Sequence, residues 1–229
     1  MADGSRIAIL KRTAVIAGST GAIGRQLMDL LIASPRFEKI LVLHHRPTRY
    51  TGHARVEQLV VDFAAMPPPG SGDDIDAVFC CVGTTQKKAG STEAFQRVDR
   101  DVPIALARWA AADDATSFVG VSSVGARATA PSVYLKTKGE MERGVADAGI
   151  RSVYLLRPSV LAGAREEYRL AEHVGNRVLA VIEPVMLGPL RKYRAVHTKT
   201  VARAMLACAD QGAPGVHIVE SDVVQKLGS

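Results

Sequence analysis

The chain has 229 residues, 47% hydrophobic and 23% charged, with 29 basic against 23 acidic side chains. That length and balance suit one globular α/β domain with a full core and exclude a fibrous or disordered chain. The net charge of +6 is dispersed and carries no helix-turn-helix, zinc-finger or RNA-binding signature, and no apolar run nears the roughly 18 residues of a membrane span, so neither nucleic acid nor a membrane is expected as a partner.

Residues 1–11 read as a loose leader without the apolar stretch and cleavage site of a signal peptide. A first strand over 12–17 stops at Gly18, and an amphipathic helix follows over 21–33, closed by Ser34-Pro35 because proline cannot continue it. A buried type of strand covers 39–44, a basic loop 44–55 and a third strand 56–61. The three prolines within 66–72 make a surface loop rather than a domain boundary, since the α/β alternation resumes at once. A fourth strand spans 76–82, and a polar loop with Lys87, Lys88 and Gly90 leads into one long helix over 92–112. Then come a fifth strand (117–122), a helix carrying Tyr134 (131–149) and a sixth strand (151–156) stopped by Arg157-Pro158. Residues 163–193 are less regular, with a helix expected over 168–182. A short strand at 194–196, a helix at 200–210, a last strand at 215–219 and a closing helix complete the chain. Strands alternating with helices imply a doubly wound parallel sheet covered on both faces, a Rossmann-type single domain with 163–193 as a substrate-side insertion.

The chemistry starts at Gly18-Ser19-Thr20-Gly21-Ala22-Ile23-Gly24-Arg25. Glycines between a strand and a helix let a pyrophosphate approach the free N–H groups and positive dipole end of that helix. The spacing is GxxGxxG, so the set gains its meaning from its place at the head of a βαβ pattern. In an NAD site an acidic residue about 20 positions on grips the ribose 2′-hydroxyl. Here the second strand ends Leu43-His44-His45-Arg46 without an acid. Arg46, with Arg25 as a second clamp, can fork onto a 2′-phosphate, which favours NADP. Asp62 and Phe63 end the third strand, where a carboxylate can accept from the adenine amino group. Cys81-Val82-Gly83-Thr84 closes the fourth strand on the same edge, its glycine admitting the cofactor ribose.

Ser122-Ser123 at the tip of strand five precedes Tyr134 and Lys138, which are four apart and so share one helix face. A cation beside a phenol favours phenolate, and such a tyrosine can give a proton to a carbonyl oxygen or take one from an alcohol. A serine on the neighbouring strand end would hydrogen-bond the same oxygen. His173 and His197 have no partner at metal spacing, and Cys80, Cys81 and Cys208 show none either. They fit reduced core thiols in a cytoplasmic protein.

In this order the motifs resemble the short-chain dehydrogenase/reductase superfamily: GxxGxxG, Asp62, the strand-four glycine, Ser123 and Tyr134-xxx-Lys138. The wording Cys81-Val82-Gly83-Thr84-Thr85, Val98-Asp99-Arg100-Asp101 and Leu156-Arg157-Pro158-Ser159-Val160-Leu161 is similar to a narrower, atypical group of Tat-interacting oxidoreductase-like proteins. The resemblance implies a nicotinamide cofactor, Tyr134 as acid/base, Lys138 also holding the nicotinamide ribose, and Pro158 facing the nicotinamide. Asp99 stands where the superfamily often has an asparagine, and Pro158-Ser159 where it has Pro-Gly. The expected function is NADP-dependent hydride transfer to or from a carbonyl or alcohol of a small molecule, by a monomer or homodimer. The alternatives are an NADPH-sensing module without turnover and, less favoured for the short stretch after strand six, a sugar-nucleotide epimerase.

Overall fold

The structure, a computed structural model, describes residues 12–45, 48–67, 74–162 and 194–229. Strand β1 (Thr13–Ala17) is buried at every residue, as a strand covered on both faces must be. It pairs in parallel with β2 (Lys39–His44) on one side and β4 (Ile75–Cys80) on the other. Outside β2 lies β3 (Val56–Val60). Beyond β4 come β5 (Ser117–Val121), β6 (Ser152–Arg157) and β9 (Gly215–Glu220), all parallel. The sheet therefore has seven strands in the order β3-β2-β1-β4-β5-β6-β9. Strand order reverses between β1 and β4, so the flanking connections part there and leave a crevice above the carboxyl ends.

The two-residue period of the strands divides the core. Ala14 and Ile16 face Leu27, Met28 and Leu31 of α1 (Ala22–Ala33) and Val201, Met205 and Cys208 of α6 (Thr198–Gln211). Val15 and Ala17 face Leu106 and Trp109 of α4 (Val102–Ala112) and Met141 and Val145 of α5 (Val133–Ala146). Both edges are less well covered, with Val60 on β3 and Val216 on β9 exposed. Helix α7 (Ser221–Leu227) closes the chain. A two-stranded parallel pair, β7 (Leu161–Ala162) with β8 (Val196–His197), brings together the residues that flank 163–193.

Three expectations need correction. The polar loop after strand four contains a one-turn helix, α2 (Gln86–Ala89), because Thr85 caps its start by accepting from the Lys88 N–H and Gly90 ends it in the left-handed region. The helix expected over 92–112 is not regular. It runs as α3 (Thr92–Gln96), a π-turn (Arg97–Asp101) and α4. Pro103 explains the break: it has no N–H, and its ring would collide with the carbonyl four residues back, that of Asp99. The widened turn, closed from the Val102 N–H to the Arg97 carbonyl, relieves that collision. The short strand expected at 194–196 is instead the two residues of β8. The leader 1–11, Arg46, most of the proline loop and the helix expected over 168–182 lie outside the described residues.

Candidate functional site

The glycine loop joins β1 to α1 under tight steric limits. Gly18 has φ +85°, and a Cβ there would lie 2.5 Å from the carbonyl carbon of Cys81. A Cβ on Gly24 would stand 2.1 Å from the Gly18 oxygen. These two glycines let the loop, the helix start and the end of β4 close on one another. Gly21, the residue before α1, is less confined: a Cβ there would stand 3.3 Å from the Gly18 oxygen, a close contact that a shift of a few tenths of an ångström would relieve. It caps the helix without a side chain, and no acid occupies the first turn. The N–H groups of Ala22, Ile23 and Gly24 thus head α1 without intrahelical partners. The Ser19 hydroxyl is buried and has no hydrogen-bond partner, while Thr20 and Arg25 are exposed beside it. An orphaned hydroxyl and a helix start bare of side chains and acid fit the pyrophosphate of a dinucleotide.

At the end of β2, His44 is buried with both ring nitrogens unpartnered. His45 meets the Phe63 ring edge-on, centroids 5.1 Å apart. Asp62 is exposed, and its Oδ1 accepts from the Ala64 N–H at 2.9 Å, which fixes the turn after β3. At the end of β4, the Cys81 N–H donates to the Ala17 carbonyl at 2.8 Å. The Cys81 thiol points away from the crevice toward Met205, sulfur to sulfur 3.8 Å. Cys81 therefore offers the site only its backbone.

The serines after β5 have different surroundings. Ser122 is buried and donates to Glu142 Oε1 at 2.6 Å. Ser123 has only its neighbour's carbonyl at 3.5 Å, so its hydroxyl carries no firm commitment. Tyr134 sits in the first turn of α5, 38% exposed, its ring 5.9 Å from that of Phe95. One turn on, Lys138 is buried, and its Nζ lies 2.7 Å from Asp99 Oδ1. Burial works against the Lys138 charge, but Asp99 outweighs it and holds the ammonium above the usual lysine range. The other Asp99 oxygen accepts from the Thr84 N–H at 2.7 Å, and a Cβ on Gly83 would come within 3.4 Å of that carboxylate. Pro158 is buried, and its carbonyl accepts from the Val124 N–H at 3.1 Å.

Sequence reading missed the group that ties these segments together. Arg157 Nε and Nη2 reach the two Glu142 oxygens at 2.8 and 2.7 Å, its Nη1 reaches Glu220 at 2.9 Å, and Nη2 also donates to the Ala126 carbonyl at 3.0 Å. The hydrogen bonds with Glu142 hold the guanidinium proton more tightly than in a free arginine. One cluster thus joins α5, the loop after β5, the end of β6 and the end of β9. Glu142 does lie four residues after Lys138, on the same helix face, but its partner Arg157 is on another element.

Residues 14–219 match the family described as the NAD dependent epimerase/dehydratase family. The chain belongs to it. Over 223 residues the chain is 30% identical to Protein HTATIP2 of Rattus norvegicus, covering 95% of this chain and 89% of that one. This likeness agrees with the Tat-interacting group that the sequence resembles. Protein FMP52, mitochondrial, of Candida glabrata is 32% identical over 162 residues, 69% of this chain and 67% of the relative. The solved structure of MoeE5 in complex with UDP-glucose and NAD superposes with a TM-score of 0.67 at 16% identity, covering 94% of this chain and 80% of that one. At that identity the likeness shows the fold, and the epimerase/dehydratase family chain is an NAD(P)-binding Rossmann protein. Among its described residues no helix is long and apolar enough to cross a membrane, and no cluster of His, Cys, Asp and Glu could hold a metal ion.

Proposed function

We propose that the chain is an NADP-dependent oxidoreductase of the short-chain type, acting in the cytoplasm on the carbonyl or alcohol of a small molecule. The observation that supports this reading is the spacing of Tyr134 and Lys138 one turn apart on α5, with the Ser123 hydroxyl on the loop after β5 held only by a 3.5 Å contact to its neighbour's carbonyl. The loop residues 18–25 would hold the pyrophosphate, Asp62, Phe63 and the backbone of residues 81–84 the adenosine and ribose side, and Lys138 and Pro158 the nicotinamide side. NADPH would supply a hydride, with its two electrons, to the carbonyl carbon. Tyr134 would give the phenol proton to the carbonyl oxygen and regain one from water, while Ser123 would donate to that oxygen and hold it in place. The preference for NADP rests on the sequence that ends β2 and follows it, His44-His45-Arg46, which has no acid where an NAD site needs one.

The test is NADPH and NADH oxidation across aldehydes, ketones and quinones, with cofactor affinities measured alongside. NADPH should bind more tightly than NADH, and Arg46→Ala should cost about tenfold or more in NADPH affinity while sparing NADH. Tyr134→Phe should lower turnover by about 10²–10⁴ and leave cofactor affinity intact. Equal affinity for both cofactors would sink the NADP assignment, and full activity in Tyr134→Phe would sink the acid/base role. Fractionation decides the compartment, with recovery in mitochondria, as the FMP52 name states for that relative, the result against us.

A further inference from the structure

Helix α5 begins without a local anchor. Ser132 precedes it but makes no side-chain cap, and no acid lies in its first turn, so that turn depends on neighbouring elements for its place. Tyr134 stands in this turn, and among the described residues its hydroxyl has no hydrogen-bond partner. The Arg127 N–H donates to the Leu135 carbonyl at 3.2 Å, which fixes the backbone there but not the phenol ring. What grips the helix from outside is the segment of α3 and the π-turn. The Phe95 ring lies 5.9 Å from that of Tyr134, tilted by 32°. Four residues further along each segment, Asp99 meets Lys138 at 2.7 Å, and Arg100 reaches Glu140 at 3.0 Å. The contacts run in step along one side of α5. The two ion pairs hold the helix, and the aromatic contact acts on the ring itself. Phe95 is wholly buried while Tyr134 is 38% exposed, so the phenol is backed on its inner side and open on its outer side.

We propose, resting on the oxidoreductase reading above, that Phe95 is a positioning residue for Tyr134, the wall that holds the phenol ring of an uncapped helix turn in one orientation toward the substrate oxygen. A tyrosine side chain turns about two bonds, and an exposed one without a wall samples several rotamers. Proton transfer needs the hydroxyl within about 2.6–3.2 Å of the oxygen it serves. A misplacement of about 1 Å can cost 100-fold in rate. Phe95 is too deeply buried to touch the substrate, so its effect on the rate must pass through Tyr134. Leucine in its place is apolar and helix-compatible but shorter and without a flat face, and it leaves room for the phenol to turn inward.

The experiment compares wild type, Phe95→Leu and Phe37→Leu. Phe37 is equally buried, meets Phe79 edge-on at 6.4 Å and lies just before β2, at the opposite end of the sheet from Tyr134. Both variants lose core packing and should melt below wild type. Phe95→Leu should lower kcat and kcat/KM for the carbonyl together, by about 10- to 100-fold, and leave NADPH affinity unchanged. Phe37→Leu should keep the wild-type kcat. In protein isotope-labelled at tyrosine, the NMR ring signals that vanish in Tyr134→Phe should be displaced by the Phe95 ring current, and in Phe95→Leu they should move back toward those of free tyrosine. Full kcat in Phe95→Leu, or an equal loss in Phe37→Leu, overturns the inference. Should Phe95→Leu fail to fold, the wild-type spectrum decides: displaced signals uphold the contact, and signals at free-tyrosine positions mean that Phe95 does not hold the ring. Absence of turnover with every carbonyl defeats the oxidoreductase reading and leaves the spectrum to judge Phe95, whereas turnover that survives Phe95→Leu undiminished defeats this inference alone.

Discussion

The cluster around Glu142 gives the most direct test of how the site is held. Glu142→Ala removes the acceptor of the Ser122 hydroxyl and of two Arg157 nitrogens. Deleting one member of a buried ion pair costs about 3–5 kcal/mol because the other charge is left unbalanced. Arg157 is not fully stranded, since its side chain is 20% exposed and keeps Glu220 and the Ala126 carbonyl. The expected loss is therefore lower, about 2–3 kcal/mol. For a chain of this size each kcal/mol moves Tm by about 2–4 °C, so Tm should fall by about 4–12 °C in a thermal melt. Glu142→Gln keeps an oxygen for Ser122 and should fall between the two. The alkaline dependence follows from Arg157, whose proton is held above the ordinary arginine value first by hydrogen bonding with Glu142. A raised cation contributes its stability in full below its unfolded pKa and loses it only above the folded one. The difference between wild type and variant should thus persist unchanged from about pH 7 to 10. In the activity assay kcat should drop as the Ser123 loop loosens, while NADPH affinity, set at the glycine loop, should hold. A Glu142→Ala protein that melts with the wild type would refute the claim that this cluster braces the site.

The loop glycines should separate by role. Gly18→Ala meets Cys81 backbone at 2.5 Å with φ +85° and should abolish soluble expression, whereas Gly21→Ala should fold with a near-normal melt and weaken NADPH binding, read by fluorescence titration. Burial raises all three thiols, Cys80 to about 11 and Cys208 to about 12. Native protein at about pH 8 should therefore resist iodoacetamide, and denaturant should release all three cysteines for labelling, as counted by mass spectrometry.

Much of the framework was legible because it depends on local patterns. The sequence places the second strand over 39–44, and β2 is Lys39–His44, because a continuous apolar run bounded by charge and histidine leaves little freedom in its ends. The first helix was read from glycine at its start and Ser34-Pro35 at its end, and α1 stops where expected, with the Ser34 N–H donating back to the Leu30 and Leu31 carbonyls. The glycine spacing marked the tight junction of β1, α1 and the end of β4 for a related reason: close approach leaves its mark on residue type at Gly18 and Gly24. The exposed edges of the sheet were not legible, because Val60 and Val216 have the same apolar character as the buried strand residues.

Partnership across the fold was the part that periodicity could not supply. Ser122 and Ser123 are adjacent and identical in type, and only the position of Glu142 distinguishes the hydroxyl that is tied down from the one left without a firm hydrogen bond. Asp99 could be noticed as an acid in an asparagine's place, but its contact with Lys138 spans the gap between two helices. The cause was nonetheless written in the chain. Proline four residues after Asp99 makes a regular helix impossible at its carbonyl, and the turn must open there or the helix must kink. A π-turn adds one residue to the turn, so side chains beyond it are rotated by roughly 100° relative to a regular helix. Residues on either side of Asp99 therefore belong to differently phased faces: Phe95 before it lies against Tyr134, and Leu106 of α4 after it lies in the core. Asp99 is at the phase change, directed at Lys138 while α4 keeps its apolar stripe in the core. A regular helix through 92–112 could satisfy one of those contacts or the other, and the irregularity is what allows the charged pair and the core to coexist.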